Sequence, residues 1–278
     1  MKRRIIQYTT VVLAFLAGMI FMTYMTRMGN RDMTGDMAQA QLPVVHAEQD
    51  GVLYNEMHGY VEDMDGASMR DSVIGVSEDH KVGLALEKYN AQIKSVSYEV
   101  RSLDMSRLIE GGDDLQAEDD GKYLHISLTL KDLLTQGEEY LLVLKVQTED
   151  QDLVRFYSIL TYLGTNHVQD CVDFAQRFHE MTLTGDSDGV LNYLEQDGSM
   201  DGKNLGYINI HSRSGPVTWG DMQVVETGET SLRFTELESD ITALTMEYQV
   251  TNTETSEQYQ VREAYRLRYT STRIYLLA

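Results

Sequence analysis

Ile5–Thr26 is a run of 22 consecutive residues without a charge, and it directly follows Lys2-Arg3-Arg4. At about 1.5 Å per helical residue, such a run crosses the roughly 30 Å hydrocarbon core of a bilayer. The basic tip predicts a cytoplasmic tail over residues 1–4, a transmembrane anchor over 5–26 and export of everything beyond. A cleaved signal peptide would have an apolar region of only about 7–15 residues with a small-residue cleavage site close behind it. Ala38-Gln39-Ala40 is the nearest such site, and it lies well past the apolar run. The sequence therefore predicts a retained signal anchor and a single-pass cell-membrane protein, with the bulk of the chain extracellular.

Charge separates the two parts. The formal net charge is -21. Residues 1–31 hold five basic and no acidic residues, which leaves 18 basic against 44 acidic over 32–278, a net of -26. A surface that negative repels phosphate backbones and anionic headgroups, so nucleic acid is excluded as a partner. The single cysteine, Cys171, precludes an internal disulfide. About 240 exported residues bury an adequate core without one. No Asn-x-Ser/Thr sequon occurs, and no lipid-attachment cysteine follows the apolar run.

Residues 27–41 lack apolar periodicity and read as a juxtamembrane linker. From about Leu42 the chain alternates with period two: Val82/Leu84/Leu86, Val96/Tyr98/Val100 and Leu124/Ile126/Leu128/Leu130. Such alternation marks strands with one face on a core and one in water. Further strands are predicted near 52–54, 73–76, 140–147 and 154–162, and together they predict an all-β sandwich over 42–164. From Asn166 the spacing changes. Val168, Cys171/Val172, Ala175 and Phe178 form one stripe of an amphipathic helix, and a short second helix is expected over 187–195. Strands then return near 205–211, 217–225, 232–237, 241–250, 259–270 and 274–277. Residues 165–278 thus read as an α+β domain of two helices and an antiparallel sheet. The chain stops inside the apolar strand Ile274–Ala278, which suggests truncation at that end.

One local motif carries a family resemblance. Leu134-Thr-Gln-Gly137-Glu-Glu-Tyr140, followed by Leu142, Leu144 and Val146, resembles the corner before the sixth strand of immunoglobulin/fibronectin III-like sandwiches, with Gln136 where that family has a turn proline. The resemblance implies a buried Tyr140 whose hydroxyl satisfies an upstream backbone group. The element order of 165–278 is similar to that of cone-shaped NTF2-like domains. Across its length the chain also resembles uncharacterised single-span, signal-anchored extracytoplasmic proteins of Gram-positive bacteria. That similarity implies a location and no reaction.

His167, Cys171 and His179 share the helix, but Cys171 sits on the apolar stripe, and Asp170 and Asp173 raise the pKa of a thiol. Asp197, Ser199 and Asp201 with Gly202 match the first half of a calcium loop, yet position twelve is Ile208, so an ordinary acidic turn is expected. The carboxylates of 110–120 read as a solvated loop. No S-x-x-K, Walker A or G-x-G-x-x-G motif occurs, and Trp219 lies in a strand-like segment. Arg262, Arg266 and Arg268 share one face of a strand; they read either as cross-strand partners of Glu247 and Glu236/Glu238 or as a docking face for an acidic partner.

These observations predict no catalytic residue, metal or cofactor. They predict a membrane-anchored extracytoplasmic binding or scaffolding protein of the cell envelope, held in the membrane through Ile5–Thr26 and contacting an envelope protein. Two alternatives stand beside it: a cell-envelope enzyme of the wall-hydrolase type, and a subunit of a membrane-spanning assembly. Mature protein from cells is expected to begin at or near Met1 and to fractionate with membranes. An N-terminus mapped after Ala40, with soluble release, overturns the anchor.

Overall fold

A computed structural model of the chain describes residues 2–29, 42–69, 72–113, 115–131, 134–149, 153–165, 167–197 and 206–278. Two compact units emerge, Met1–Gln39 and Ala40–Ala278. The first contains one helix, α1 (Lys2–Gly29), whose described side chains are all exposed. Among the described residues it is the one helix long and apolar enough to cross a membrane, over Ile6–Tyr24.

The second unit opens with ten strands in two sheets. They are β1 (Val44–Gln49), β2 (Val52–His58), β3 (Val73–Ser77), β4 (Lys81–Glu87), β5 (Ile93–Ser102), β6 (Leu108–Gly112), β7 (Gln116–Asp119), β8 (Tyr123–Thr129), β9 (Glu139–Thr148) and β10 (Leu153–Gly164). One sheet has the order β2-β1-β4-β8-β7 and the other β3-β10-β9-β5-β6. Val82, Leu84 and Leu86 of β4 and Ile126 and Leu128 of β8 enter a core shared with Val100, Leu142 and Leu144 of the other sheet. Gly83 pairs with Glu48, and a Cβ there would stand 2.4 Å from the Glu48 carbonyl oxygen, so the close approach of β1 requires glycine.

The second sheet differs from a simple antiparallel half-sandwich. β3 pairs with β10 in parallel. Residues 140–144 of β9 and 156–160 of β10 are buried without a break. Both faces are covered, which is the condition that replaces alternation by continuous apolar runs. The outer cover includes the segment 59–69: Tyr60 bridges to Arg155, Met64 N–H donates to Tyr157 Oη at 3.1 Å, and Gly66 packs on Leu141 and Met105. The carboxylate-rich stretch 110–120 is also not the solvated loop its composition suggested. It forms β6 and β7, and Glu110 is buried, accepting from Lys131 N–H at 2.8 Å and from Tyr98 Oη–H at 3.2 Å.

The corner ahead of β9 carries the expected contacts. Tyr140 is 4% exposed, and its hydroxyl oxygen accepts from Thr135 N–H at 2.9 Å. Gly137 has φ +77, a conformation glycine adopts without strain. Gln136 donates through Nε2 to Leu163 O at 2.9 Å, tying the turn to the end of β10.

Helix α2 (Val168–Thr184) buries Val168, Cys171, Val172, Phe174, Ala175, Phe178, His179 and Thr182. It ends at Gly185 (φ +74), whose N–H returns to Met181 O and Thr182 O. Asp186 then caps α3 (Ser187–Leu191) by accepting from Gly189 N–H at 2.9 Å. Two of the expected strands do not form. Residues 206–211 contain no strand, while Leu205 falls outside the described residues. The Val217 segment is a short helix, α4 (Ser214–Val217), because Pro216 in its first turn fixes a helical φ. The chain then reverses through Trp219 (φ +66) and Gly220 (φ +59), so Trp219 is a turn residue. The final sheet has the order β11-β12-β13-β14, with β11 (Val224–Leu237), β12 (Ile241–Asn252), β13 (Gln258–Tyr269) and β14 (Ile274–Leu276).

One side chain joins the three sheets. Asn55 of β2 is fully buried at φ +51, a conformation Asn tolerates better than most residues. Its Nδ2 donates to Val73 O of β3 at 2.6 Å, and its Oδ1 accepts from Phe234 N–H of β11 at 2.6 Å. Beside it, the Tyr54 and Phe234 rings meet edge to face at 5.1 Å. Asn55→Gly keeps the backbone conformation accessible but orphans both buried groups. At about 1–3 kcal/mol per orphan it is expected to cost roughly 2–6 kcal/mol in denaturant unfolding. A loss under about 1 kcal/mol would remove the joining role.

Candidate binding face and a buried histidine network

The outward face of the last sheet is built by alternation. Inward positions of β12 (Leu244, Met246, Tyr248, Val250) and β13 (Tyr265, Leu267) are buried, so their neighbours point to solvent. Arg262, Arg266 and Arg268 of β13 and Arg233 of β11 are all exposed on that side. Arg262 pairs in register with Glu247 and donates through Nε at 2.6 Å. Arg266 reaches over Ala243, which lies between it and Glu236 in register, and its Nη1 approaches the Glu236 carboxylate at 2.8 Å. The alanine methyl leaves that path open. Among the described residues no carboxylate pairs with Arg233 or Arg268. The Arg273 guanidinium lies 3.9 Å from the centroid of Tyr275, the register partner of Arg268. The face therefore carries more positive than negative charge in a chain of net charge -21.

The opposite side of the same sheet holds a closed acid–base network. His179 of α2 stands with Nε2 3.4 Å from Glu226 of β11 and Nδ1 3.4 Å from Glu263 of β13. Tyr248 Oη–H donates to Glu263 at 2.7 Å, and Tyr265 Oη–H donates to the same carboxylate. Burial lowers the affinity of the imidazole for its proton, but the two carboxylates together outweigh it and hold the pKa above the ordinary 6.5. Burial, reinforced by the Glu263 charge, raises both tyrosines. Both ring nitrogens and the Glu263 carboxylate are engaged within the network. It ties α2 to the sheet through both ring nitrogens of His179.

The sandwich carries two shallower features. A cleft of about 790 Å³ is lined by Lys88, Tyr89, Gln92, Ile93 and Asp119 among others, and Lys88 is paired with Asp119 at 2.6 Å. A second cleft of about 460 Å³ is lined by Glu48, Asp50, Gly83, Glu118 and His125. His125 lies 2.8 Å from Glu48 and 3.3 Å from Asp120. The hydrogen bond to Glu48 is the largest influence on it and raises its pKa.

The other candidates separate. Cys171 is fully buried, and burial pushes its thiol up to about 11. His167 stacks on Tyr269 at 3.4 Å and contacts Asp170, so it does not converge with Cys171. Asp197 approaches His211 at 3.5 Å, whereas Ser199 and Asp201 lie outside the described residues. Among the described residues, no group of three or more His, Cys, Asp or Glu is arranged to hold a metal ion. The histidine network escaped the sequence reading because its partners are 47 and 84 residues distant from His179. Arg233 escaped it too, although its place between Leu232 and Phe234 was the available signal.

No family model and no curated protein matches the chain. Among solved structures, CopC from Methylosinus trichosporium OB3b aligns at 16% identity with a TM-score of 0.25, covering 38% of this chain and 94% of that one. A crystal structure of an engineered protein aligns at 15% identity with a TM-score of 0.28, covering 47% of this chain and 22% of that one.

The network has a pH signature. A group whose pKa is raised by folding contributes stability that is complete below its unfolded value, here 6.5, and is lost as pH rises through the folded value. The melting temperature is expected to fall as pH rises above 6.5, and His179→Gln should flatten that slope. His125, also raised, adds to the fall, while His46, lowered by burial, acts in the opposite sense. An unchanged slope in His179→Gln means the imidazole is not charged in the folded protein.

Proposed function

We propose that this is a membrane-anchored, non-catalytic binding protein of the cell envelope, and that the outward face of its last sheet engages an acidic partner. The carrying observation is that face: Arg262, Arg266, Arg268 and Arg233 stand together on one sheet in an otherwise acidic chain. Lys2-Arg3-Arg4 at the N-terminal end of α1 supports a cytoplasmic N-terminus, with the remainder on the outer side. In this reading residues 42–164 act as an immunoglobulin/fibronectin III-like spacer. Residues 165–278 are a binding module resembling NTF2-like domains in element order.

A non-catalytic role is supported by the state of the acid–base groups. General acid–base catalysis needs a titrating group within reach of a substrate proton. His179 and Glu263 instead satisfy one another and the two tyrosines. The test is a photo-crosslinker at exposed Ala264 in intact cells, with and without Arg262→Glu/Arg266→Glu/Arg268→Glu. Crosslinking to an acidic envelope protein is expected, and the triple reversal should lower its yield at least ~10-fold, since every 1.4 kcal/mol is a factor of ten. The two ion pairs it removes are exposed, so the fold should lose only about 1–2 kcal/mol. Unchanged crosslinking, or turnover of peptidoglycan fragments by the purified protein, overturns the reading.

A further inference from the structure

The sandwich is open where the chain crosses between its two sheets. Residues 88–92 carry it from β4 of the first sheet to β5 of the second. The cleft of about 790 Å³ lies beside them, between the start of β5 and the β7–β8 hairpin. Ile93, Val96 and Leu124 line it half-buried, each packed against the core on its other side. An ion pair sets the rim. Lys88 Nζ lies 2.6 and 2.7 Å from the two carboxylate oxygens of Asp119, which ties the crossover to the end of β7.

Tyr89 stands at this rim in a conformation that its type rarely adopts. Its φ is +46, where glycine or asparagine sits easily and a bulky side chain is strained. The turn closes around it, with Ala91 N–H donating to Lys88 O at 2.8 Å. Yet the side chain does not turn into the core, and the residue is 51% exposed among those that line the cleft. Backbone strain that brings the fold so little buried area points to a ligand.

The lining decides the chemistry of that ligand. Lys88 and Lys94 are balanced by Asp113 and Asp119, so neither sign of charge is in excess. An anion would meet two aspartates on a body whose chain carries a net charge of -21, and a cation would meet two lysines. A wholly apolar ligand would desolvate Gln92 and Ser95 without replacing their water. A sugar ring meets all three conditions. It is uncharged, its C–H face stacks on an aromatic ring, and its hydroxyls both donate to and accept from amide and carboxylate groups. The volume lies in the upper part of the roughly 300–1,000 Å³ range of ligand sites, which favours several rings over one.

We propose that this cleft binds an uncharged oligosaccharide, with one ring stacked on Tyr89 and hydroxyls bonded to Gln92 and the Lys88–Asp119 pair. The site is independent of the arginine face, and it gives residues 42–164 a ligand beyond their role as a spacer.

The test uses the full chain in a detergent without a sugar headgroup, with binding read by saturation-transfer NMR on the sugar protons. Chitotetraose and cellotetraose are the uncharged probes, tetragalacturonate the anion and the glucosamine tetramer the cation. At least one uncharged tetramer should bind, at least ~10-fold more tightly than either charged one. Tyr89→Gly should weaken that binding at least ~10-fold without lowering the melting temperature, because glycine takes φ +46 without strain. If that variant melts early, Tyr89→Asn removes the same ring and keeps the turn. Arg262→Glu/Arg266→Glu/Arg268→Glu should leave sugar binding unchanged, and its loss there would place the sugar on the other face and overturn the inference. No binding of either uncharged tetramer, a charged one bound as tightly, or native affinity in both Tyr89 variants also overturns it.

Discussion

Asn55 is where the three sheets meet, and the order of everything after β2 depends on its amide. A buried backbone N–H or C=O left unpaired costs free energy comparable to a lost hydrogen bond. At this junction Val73 O and Phe234 N–H belong to different sheets and do not bond each other. Asparagine, like glutamine, carries a donor and an acceptor on separate atoms of one uncharged amide. It also accepts the left-handed φ of +51 that turns its amide into the junction. Tyr54 and Phe234 then stack apolar area on the same point, which holds β11 against the sandwich. The placement of β11 in turn carries Glu226 to His179 and so fixes α2 on the sheet.

The legible parts of the chain are those where water touches one face. β4, β5, β8, β12 and β13 show period two because every second side chain meets solvent. The sequence predicts β9 as a strand over 140–147, but not the burial of both its faces or the segment 59–69 that supplies part of that cover. The segment covers the outer face of the second sheet, and a doubly covered strand loses its polar phase. Glu110 looked solvated because local composition does not show that the N–H of Lys131, 21 residues on, reaches its carboxylate. Asn55 has no visible signal at all, since one asparagine in a strand reads as a turn. The arginine face was legible down to its partners Glu247 and Glu236, because cross-strand register follows from a short hairpin.

His179 and the arginines are two consequences of one alternation. Along β13 the residues facing inward include Glu263 and those facing outward include Arg262, so the strand places opposite charges on its two sides. Left alone, an inward carboxylate would twist or wet the strand. With the His179 ring against it and two tyrosine hydroxyls donating to it, Glu263 sits in a regular ladder. The regularity of β13 is what keeps Arg262, Arg266 and Arg268 in line.

The range of the electrostatics decides how such a face can recognise anything. At physiological ionic strength the screening length is about 8 Å, so beyond that range neither the acidic body nor the face acts strongly on an approaching partner. Two of the arginines already answer to Glu247 and Glu236, which shortens the reach of the field further. Charge at this site therefore discriminates at contact and does little to steer encounter. Affinity has to come from a term that acts at contact as well and does not depend on salt.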